Sequence, residues 1–419
     1  MKFKIFLLIV LFLISAGVMI FVIAPKLSTE QNHTKQQEEQ AMEEDQDKPE
    51  PTPAPEPEPE PEKDPIVEEI EKMTLDEKVA QLLIVQNPGM QISEAEIRRL
   101  KTAPYGGYIL MENNYGTLSA TRKFVKNLQS YSKYPLIIST DQEGGNVQRI
   151  RKIQDRAATN IPEMYRVGKT NDAELAKEIG RVMAEEMRVV GINVDFAPDA
   201  DVFSNLNNTV IGRRSFSEKP EVVAKMSLAL AQGLEENGVI ATYKHFPGHG
   251  DTAIDSHFSL PVIDRTREQL DKEDLVPFKN AIANGAKIIM VGHIALPKIT
   301  NNNTPATLSK KINTTLLREE LGFDGLIVTD GVNMGALVNN YPEAEIYYRA
   351  INAGVDLLLL PLNPELAISS IKKNVSEERI NESVYRILKF KNDCLSNYEY
   401  LNDSFFGNAE HQKVVKRVP

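Results

Sequence analysis

The chain has 419 residues, of which 42% are hydrophobic and 26% are charged, and its formal net charge is −11. This length accommodates one large domain or two ordinary ones. The acidic balance excludes the basic surface that nucleic-acid binding requires, so we expect no nucleic-acid partner. The only cysteine, Cys394, excludes an internal disulfide, so the folded part must be stabilised by its core.

The N-terminus carries an uncharged, mostly apolar segment. Residues 5–24 contain no charged side chain, and Lys2 and Lys4 precede them. A span of about 20 apolar residues matches the thickness of the bilayer core, and flanking lysines favour the cytoplasmic side. We therefore predict a membrane anchor over residues 1–25, with the rest of the chain outside the cytoplasm. The alternative is a cleaved signal peptide, which would leave a secreted protein, but Pro25 would hinder cleavage.

A linker follows the apolar segment. Residues 26–64 carry a net charge of −9, whereas residues 65–419 carry only −4, so the acidity belongs mainly to the linker. The run PEPTPAPEPEPEPEKDP is typical of an extended polyproline-like chain, and the residues before it are too polar to fold. We expect the linker to hold a folded domain away from the membrane surface.

Short apolar runs rich in β-branched residues alternate with helical patterns after the linker, which is typical of strands that are covered on both faces. The predicted strands are QLLIV (81–85), GYILM (107–111), LIIST (136–140), NVDFAP (193–198), VIATYKHF (239–246), IIMVGHI (288–294), LIVTDG (326–331) and DLLLLP (356–361). The predicted helices are ATRKFVKNLQSYS, AELAKEIGRVMAEEMRVVG, EVVAKMSLALAQGLEENG, LVPFKNAIANG, KINTTLLREELGF and AEIYYRAINAG, several of which end in the glycine that commonly stops a helix.

Eight strands that alternate with helices predict an α/β fold of the (β/α)₈ barrel type over residues 65–400, with a C-terminal tail over residues 401–419. A doubly wound open sheet is the alternative. Chemically reactive residues follow five of the predicted strands at their C-terminal ends, where a barrel gathers its catalytic groups. They are Asp141, Asp199 with Asp201, the segment that begins at Lys244, His293 and Asp330.

The segment KHFPGHGDTAIDSH, residues 244–257, contains three of the six histidines of the chain. Its glycines and its proline prevent regular structure, so it forms a shaped loop at a strand end. Asp255 and His257 are two residues apart, so in an extended loop the carboxylate can accept a hydrogen bond from the imidazole. Such a bond would fix the tautomer of His257 and raise its pKa toward that of a general acid–base. Asp330, with the small Gly331 beside it, is a candidate nucleophile; the alternative is a cap for the next helix.

Four motifs together resemble glycoside hydrolase family 3, and within it the bacterial β-N-acetylglucosaminidases that act on peptidoglycan fragments. They are DQEGGNVQR (141–149), VIGRRSF (210–216), KHFPGHGDTAIDSH (244–257) and VTDGVNMGA (328–336), and the resemblance covers about residues 67–375. The resemblance implies that Asp330 is the nucleophile, that His257 is the acid–base, and that Asp255 supports His257. The residues that match sugar-binding positions of the family are Asp141, Arg149, Arg214, Lys244 and His245.

The resemblance also implies a retaining hydrolysis through a covalent glycosyl-aspartate, with no metal or other cofactor. The expected partner is a muropeptide or another glycan that ends in N-acetylglucosamine, and we expect a monomer. Two positions depart from the family pattern: Asn146 replaces a common arginine, and Gly331 replaces a frequent acidic residue. The first puts a structural charge pair in doubt, and the second alters the surroundings of Asp330.

Three other interpretations remain open at this stage. A metal-dependent hydrolase would use His245, His249, Asp251 and His257 as ligands, which are residue types that suit zinc. A phosphorylase would keep the fold and use phosphate instead of water as the acceptor. A wall-binding module without catalysis would need sugar contacts alone, and it would leave a supported histidine opposite a strand-end aspartate unexplained.

Overall fold

The computed structural model describes residues 63–252, Ser256 and residues 259–419. The predicted membrane anchor and almost all of the predicted linker lie outside these residues, and so do Asp255 and His257. Among the helices that are described, none combines the length and the apolar character needed to cross a membrane.

The described residues form ten short strands. In chain order they are β1 (Leu83–Val85), β2 (Gly107–Ile109), β3 (Ile137–Thr140), β4 (Gln142–Gly144), β5 (Val147–Gln148), β6 (Val194–Asp195), β7 (Ile240–Phe246), β8 (Ile288–Val291), β9 (Leu326–Gly331) and β10 (Leu357–Leu359). Strands β4 and β5 form an antiparallel hairpin, and the other eight form a closed parallel barrel in chain order. The eight predicted barrel strands are therefore confirmed, and each observed barrel strand lies within its predicted run.

The closure of the sheet decides between the two predicted folds. Strand β1 pairs with β10, with Leu83 opposite Leu358 and Ile84 opposite Leu359. An open doubly wound sheet has two free edges, so the doubly wound alternative is wrong and the (β/α)₈ barrel is confirmed. The barrel strands are almost entirely buried because side chains fill the interior and helices cover the outside.

The helices surround the barrel. The α-helices are Pro65–Lys72, Leu75–Ala80, Glu94–Thr102, Leu118–Tyr131, Met164–Thr170, Ala173–Val190, Pro220–Glu236, Arg267–Lys272, Leu275–Ala283, Pro297–Thr300, Gly335–Val338, Glu343–Asn352, Pro364–Asn374, Glu377–Leu395 and Ala409–Val415, and Lys311–Glu320 is π-helical. Short 3₁₀ turns cover Glu112–Asn114, Ile150–Lys152, Gly212–Arg214, Ala306–Leu308 and Asp403–Phe405. All six predicted helices are present, although the one that begins at Lys311 has π rather than α geometry.

The C-terminal segment 401–419 is attached to the barrel through a buried histidine. His411, in the helix Ala409–Val415, lies with Nε2 2.6 Å from a carboxylate oxygen of Glu185 and Nδ1 3.1 Å from one of Glu186. Both glutamates belong to the helix Ala173–Val190. Burial lowers the pKa of His411, but the hydrogen bonds and charges of the two carboxylates outweigh burial and raise it overall.

Candidate active site

Asp330 lies near the C-terminal end of β9 and lines a cavity of about 190 Å³ at the mouth of the barrel. Its side chain is 21% exposed, and Oδ1 accepts a hydrogen bond of 2.7 Å from the amide of Gly331. Burial alone would raise the pKa of Asp330, but the charges of His245 and His293 and the amide hydrogen bond lower it to about 2. The carboxylate is therefore ionised at any physiological pH, as a nucleophile must be.

Glu143 holds together the cationic side of the cavity. This residue of the β4–β5 hairpin accepts hydrogen bonds from Nε and Nη2 of Arg214 at 2.7 and 2.9 Å, and its Oε1 lies 2.6 Å from Nζ of Lys244. Burial would raise the pKa of Glu143, but the two cations lower it well below its usual range. No role was predicted for Glu143 from the sequence. The available signal was its position two residues after Asp141, because alternate residues of an extended chain project to the same side.

Lys244 lies in β7, and its side chain is only 3% exposed. Nζ donates to Asp141 at 3.0 Å in addition to its contact with Glu143. Burial alone would lower the pKa of Lys244, but the two carboxylates raise it, so the ammonium group stays charged. Arg149 approaches the same aspartate at 3.9 Å and pairs with Glu112 at 2.8 Å. Asp141 is 20% exposed, so its remaining acceptor capacity faces the cavity.

His245 connects the cationic side of the cavity with Asp330. Its Nδ1 lies 2.7 Å from Asp201, and its Nε2 lies 3.9 Å from Asp330 and 3.4 Å from Arg214. Burial lowers the pKa of His245, but the carboxylate of Asp201 raises it overall. An imidazole held in this way directs Nε2 toward the nucleophile and toward any sugar hydroxyl beside it.

The described part of the histidine loop is tightly fixed. His249 is buried, and its ring nitrogens lie 2.9 Å from the hydroxyl of Thr252 and 3.1 Å from that of Ser256. Burial and the nearby charge of His245 lower the pKa of His249 to about 4, so its ring is neutral near pH 7. Gly250 packs closely against the neighbouring chain, because a Cβ there would lie 1.6 Å from the carbonyl oxygen of Val202. Ser256 lines the cavity, whereas the predicted Asp255–His257 pair lies outside the described residues.

Asp199 and Asp201 follow β6 and are both buried. Burial and the negative charge of Asp201 raise the pKa of Asp199 to about 7. Asp201 accepts hydrogen bonds from the amides of His249 and His245 at 2.6 and 3.2 Å, besides its contact with the His245 ring. Burial would raise the pKa of Asp201, but its contacts with His245 lower it. Asp201 therefore fixes the base of the histidine loop.

Of the ligands that the metal-dependent alternative would use, His257 lies outside the described residues, and the three that are described do not gather as a set. Asp251 pairs with Arg265 at 3.0 Å, and His249 is hydrogen-bonded to hydroxyl groups. Within the described part of the chain, the one group whose ligand atoms lie close enough for a metal, within 4.8 Å of one another, is Asp199, Asp201 and His245. Hydrogen bonds inside this group already occupy both Asp201 oxygens and Nδ1 of His245, so the residues favour an internal polar cluster over a metal centre.

Six of the eight predicted site residues line the same cavity: Asp141, Arg149, Arg214, Lys244, His245 and Asp330. Of the two arginines in VIGRRSF, Arg214 faces the cavity, whereas Arg213 is 62% exposed and pairs with Glu163 at 2.7 Å. The arrangement is an ionised carboxylate at a barrel strand end, opposite cations and carboxylates that can bind the hydroxyl groups of one sugar. Such a site on a (β/α)₈ barrel is typical of a glycoside hydrolase.

Comparisons with known proteins agree with this class. Residues 74–390 match the family described as glycosyl hydrolase family 3 N terminal domain. The chain therefore belongs to glycosyl hydrolase family 3. The beta-hexosaminidase A of Pseudoalteromonas piscicida is 35% identical over 344 residues, which cover 74% of this chain and 57% of that protein. The chain thus spans little more than half the length of this relative.

Solved structures of other proteins share the fold. A glycoside hydrolase family 3 beta-N-acetylglucosaminidase from Paenibacillus sp. str. FPU-7 has a TM-score of 0.76 at 35% identity, over 83% of this chain and 68% of that one. The beta-glucoside phosphorylase BglX, bound to 2FGlc, has a TM-score of 0.77 at 26% identity, over 84% of this chain and 66% of that one. Within the family, the chain is thus similar to proteins named beta-hexosaminidase and beta-N-acetylglucosaminidase.

Proposed function

We propose that this protein is a retaining β-N-acetylglucosaminidase that removes terminal β-linked N-acetylglucosamine from peptidoglycan fragments. The observation that carries the proposal is Asp330, which faces the cavity as an ionised carboxylate with a pKa of about 2. The names of the similar proteins support an N-acetylhexosamine substrate, since they are a beta-hexosaminidase and a beta-N-acetylglucosaminidase.

The mechanism that we propose is a double displacement. Asp330 attacks the anomeric carbon and forms a covalent glycosyl-aspartate, while His257 as imidazolium protonates the departing oxygen. Neutral His257 then accepts a proton from water, which attacks the anomeric carbon and releases the sugar with its β configuration retained. A group that acts as acid and then as base requires a pKa near the working pH, and imidazole is close to that value without large shifts. Asp255 supports His257 by accepting a hydrogen bond from its ring.

The charged residues opposite Asp330 provide the sugar contacts. Lys244 and Arg149 can donate to hydroxyl groups, and Asp141 can accept from them, because all three line the cavity and Asp141 is partly exposed there. Their ion pairs with one another and with Glu143 hold these groups in place before the sugar binds. Preorganised polar groups lower the cost of ordering that binding otherwise requires.

The test is the hydrolysis of an aryl β-N-acetylglucosaminide by the full-length protein and by its Asp330→Asn variant. We expect the wild type to release N-acetylglucosamine and the variant to lose roughly 10³-fold or more in kcat, as removal of a nucleophile does in other hydrolases. An aryl β-glucoside, which lacks the acetamido group, serves as the specificity control and should be a poorer substrate. Substantial remaining turnover in Asp330→Asn would refute the nucleophile assignment.

A phosphorylase is the second candidate, because a beta-glucoside phosphorylase shares the fold with a TM-score of 0.77. In that reaction phosphate replaces water in the second step and produces a sugar 1-phosphate. Product analysis with and without inorganic phosphate separates the two. Free N-acetylglucosamine in the presence of phosphate supports the hydrolase, whereas the 1-phosphate as the main product supports the phosphorylase.

We also propose that the enzyme works outside the cytoplasm as a monomer, anchored in the membrane through residues 1–25. The motivation is the uncharged segment 5–24 with its two preceding lysines, followed by a linker of net charge −9. A linker of this composition would allow the domain to reach glycans in the cell wall. Fractionation of cells that express the full chain or residues 26–419 tests the anchor. Equal recovery of both in the soluble fraction would count against it.

A further inference from the structure

Arg265 lies beside the histidine loop and contacts three carboxylates. Its Nε donates to Asp251 at 3.0 Å, and its Nη1 donates to Asp274 at 2.9 Å and also contacts Glu273. The side chain of Arg265 is only 12% exposed. Because a guanidinium presents its donors in a fixed plane, carboxylates on two of its sides hold it in one orientation. Arg265 is therefore a rigid point to which other parts of the chain can be attached.

The pair of Asp251 and Arg265 joins the two ends of the segment that contains His257. Asp251 precedes His257 by six residues, and Arg265 follows His257 by eight. The C-terminal end of the segment is also attached to the barrel, because Ile263 donates its amide to the carbonyl of Ala295 at 2.9 Å. Holding the two ends of a segment together reduces the number of conformations that the residues between them can adopt. The ion pair thus limits where the chain can place His257.

Asp274, the buried partner of Arg265, supports the same loop at Gly248. Asp274 has no exposed surface, and a Cβ at Gly248 would lie 2.6 Å from the Cβ of Asp274. Gly248 has a φ of +126°, which only glycine adopts without strain. The loop therefore packs directly against a residue that Arg265 binds. Arg265 supports the loop at two places, at Asp251 through an ion pair and at Gly248 through Asp274.

Ser256, the residue that precedes His257, lies at the barrel mouth. Its carbonyl accepts a hydrogen bond of 3.1 Å from the amide of Ala336, and its hydroxyl lies 3.1 Å from Nε2 of His249. Ser256 lines the same cavity as Asp330. A general acid must come within hydrogen-bond reach of the atom that it protonates, and a displacement of about 1 Å can cost roughly 10²-fold in rate. The support of this loop therefore bears directly on proton transfer.

We propose that Arg265 is a positioning residue for the reaction, which holds the loop through Asp251 so that His257 meets the glycosidic oxygen of the substrate. The inference rests on the proposed function, because it concerns the placement of the residue that delivers the proton. Arg265 does not itself line the cavity that contains Asp330, so its effect on the sugar is indirect.

The experiment measures kcat and KM of full-length Asp251→Ala and Arg265→Ala on two substrates. One is an aryl β-N-acetylglucosaminide with an activated leaving group, and the other is N,N′-diacetylchitobiose, whose leaving group is poor. We expect kcat/KM for the disaccharide to fall about 10–100-fold, through kcat and with little change in KM. The value for the aryl glycoside should change less than about threefold, because its leaving group needs little protonation.

Asp251→Ala tests the ion pair without removing the cation from Asp274. The side chain of Asp251 is 34% exposed, so its truncation leaves the buried pair of Arg265 and Asp274 in place. Arg265→Lys, which keeps the charge but not the planar group, should recover part of the kcat that Arg265→Ala loses. The double variant Asp251→Ala/Arg265→Ala should lose no more than the larger single loss, because two residues of one ion pair are not additive.

The His257→Ala background separates positioning from a general effect on the fold. If Arg265 acts through His257, adding Arg265→Ala to His257→Ala should cause no further loss on the disaccharide, because no imidazole is left to position. A purely structural role of Arg265 would lower the rate in both backgrounds.

The matched control is Arg267→Ala. Arg267 lies two residues from Arg265 and pairs with Asp271 at 2.9 Å and with Glu320, neither of which belongs to the histidine loop. Its rates on both substrates should equal those of the wild type.

Three outcomes would overturn the positioning role. They are wild-type rates in both Asp251→Ala and Arg265→Ala, equal losses on the two substrates in Asp251→Ala, and a further loss from Arg265→Ala in the His257→Ala background. Failure of the proposed function looks different. In that case the wild type does not cleave the aryl glycoside, or His257→Ala itself shows no dependence on the leaving group.

Discussion

Lys244 at the mouth of the barrel and Lys391 near its opposite end are both buried, yet their surroundings differ. Lys244 contacts two carboxylates, at 2.6 and 3.0 Å, and its pKa is raised even though burial by itself would lower it. Lys391 is fully buried in the helix Glu377–Leu395, and its Nζ donates to the side-chain oxygen of Gln81 at 2.7 Å. Burial lowers the pKa of Lys391 to about 7. Burial thus disfavours both charges, and only the carboxylates at the mouth reverse the effect.

A buried acid near the N-terminal end of β10 extends the comparison. Asp356 has no exposed surface, and its oxygens contact Ser383 at 2.8 Å, Arg386 at 3.2 Å and the amide of Ile327 at 3.0 Å. At the mouth, by contrast, Asp141 and Asp330 keep 20% and 21% of their side-chain surface exposed toward the cavity. Buried charges at the end of the barrel opposite the mouth are paired within the protein, whereas Asp141 and Asp330 at the mouth can still bind a ligand.

The largest effect that we predict is for His257→Ala, which removes the proposed acid–base. We expect turnover of a substrate with a poor leaving group to fall by roughly 10²–10⁴-fold, because a positioned proton donor contributes that much. An activated aryl glycoside should lose less, since its leaving group needs little protonation. The alkaline limb of the pH–rate profile on the poor substrate, which reports the protonated imidazole, should disappear.

His33→Ala, at a histidine of the predicted linker, is the control for this experiment and should match the wild type on both substrates. Equal losses on the two kinds of substrate in His257→Ala would argue against a proton donor at this position. Rate profiles over a pH range are measured for both variants. Asp330 should not set the acid limb, since its pKa of about 2 keeps it ionised throughout.

The sequence predicted the barrel well because each strand is a local pattern. A short apolar β-branched run such as LIVTDG identifies both the strand and the aspartate at its end, so Asp330 could be placed at the mouth. Glu143 was missed because its role depends on Arg214, which lies 71 residues away. Residue spacing in the sequence cannot predict a pair of residues that are so far apart along the chain. Lys391 lies in an ordinary amphipathic helix, and nothing in its neighbours indicates that its ammonium group meets an amide rather than water.

The next prediction compares the two buried lysines, each replaced by methionine. In Lys244→Met, Asp141 and Glu143 lose a cation in a buried setting, and the sugar loses a charged donor. We expect kcat/KM to fall roughly 10–100-fold, as loss of a charged hydrogen bond implies, and the free energy of unfolding to fall by about 3 kcal/mol. Kinetics with the aryl glycoside and urea unfolding measure the two quantities. Wild-type kinetics in Lys244→Met would remove Lys244 from the sugar site.

The smallest effect is expected for Lys391→Met. This substitution should raise the free energy of unfolding, whereas Lys244→Met should lower it. The folded pKa of about 7 lies below the ordinary value of 10.5, so the folded state disfavours the proton. The wild type is therefore least stable below pH 7, and it gains stability as the pH rises from 7 to 10.5. Methionine carries no charge and removes this dependence, although Gln81 loses its donor at a cost of about 1–2 kcal/mol.

The net result should be a variant that is about 2 kcal/mol more stable than the wild type near pH 6, since replacing an unfavourably buried charge by an apolar group gains a few kcal/mol. Near pH 10 the advantage should vanish or reverse, because the wild-type lysine is then neutral and still bonded to Gln81. Activity should be unchanged, in contrast to Lys244→Met. Lys389→Met, two residues away at a side chain that is 55% exposed, is the matched control. Its stability should equal that of the wild type both at pH 6 and at pH 10. A loss of stability in Lys391→Met at pH 6 would mean that the ammonium group is favourably bound, and the contrast between the two ends of the barrel would then fail.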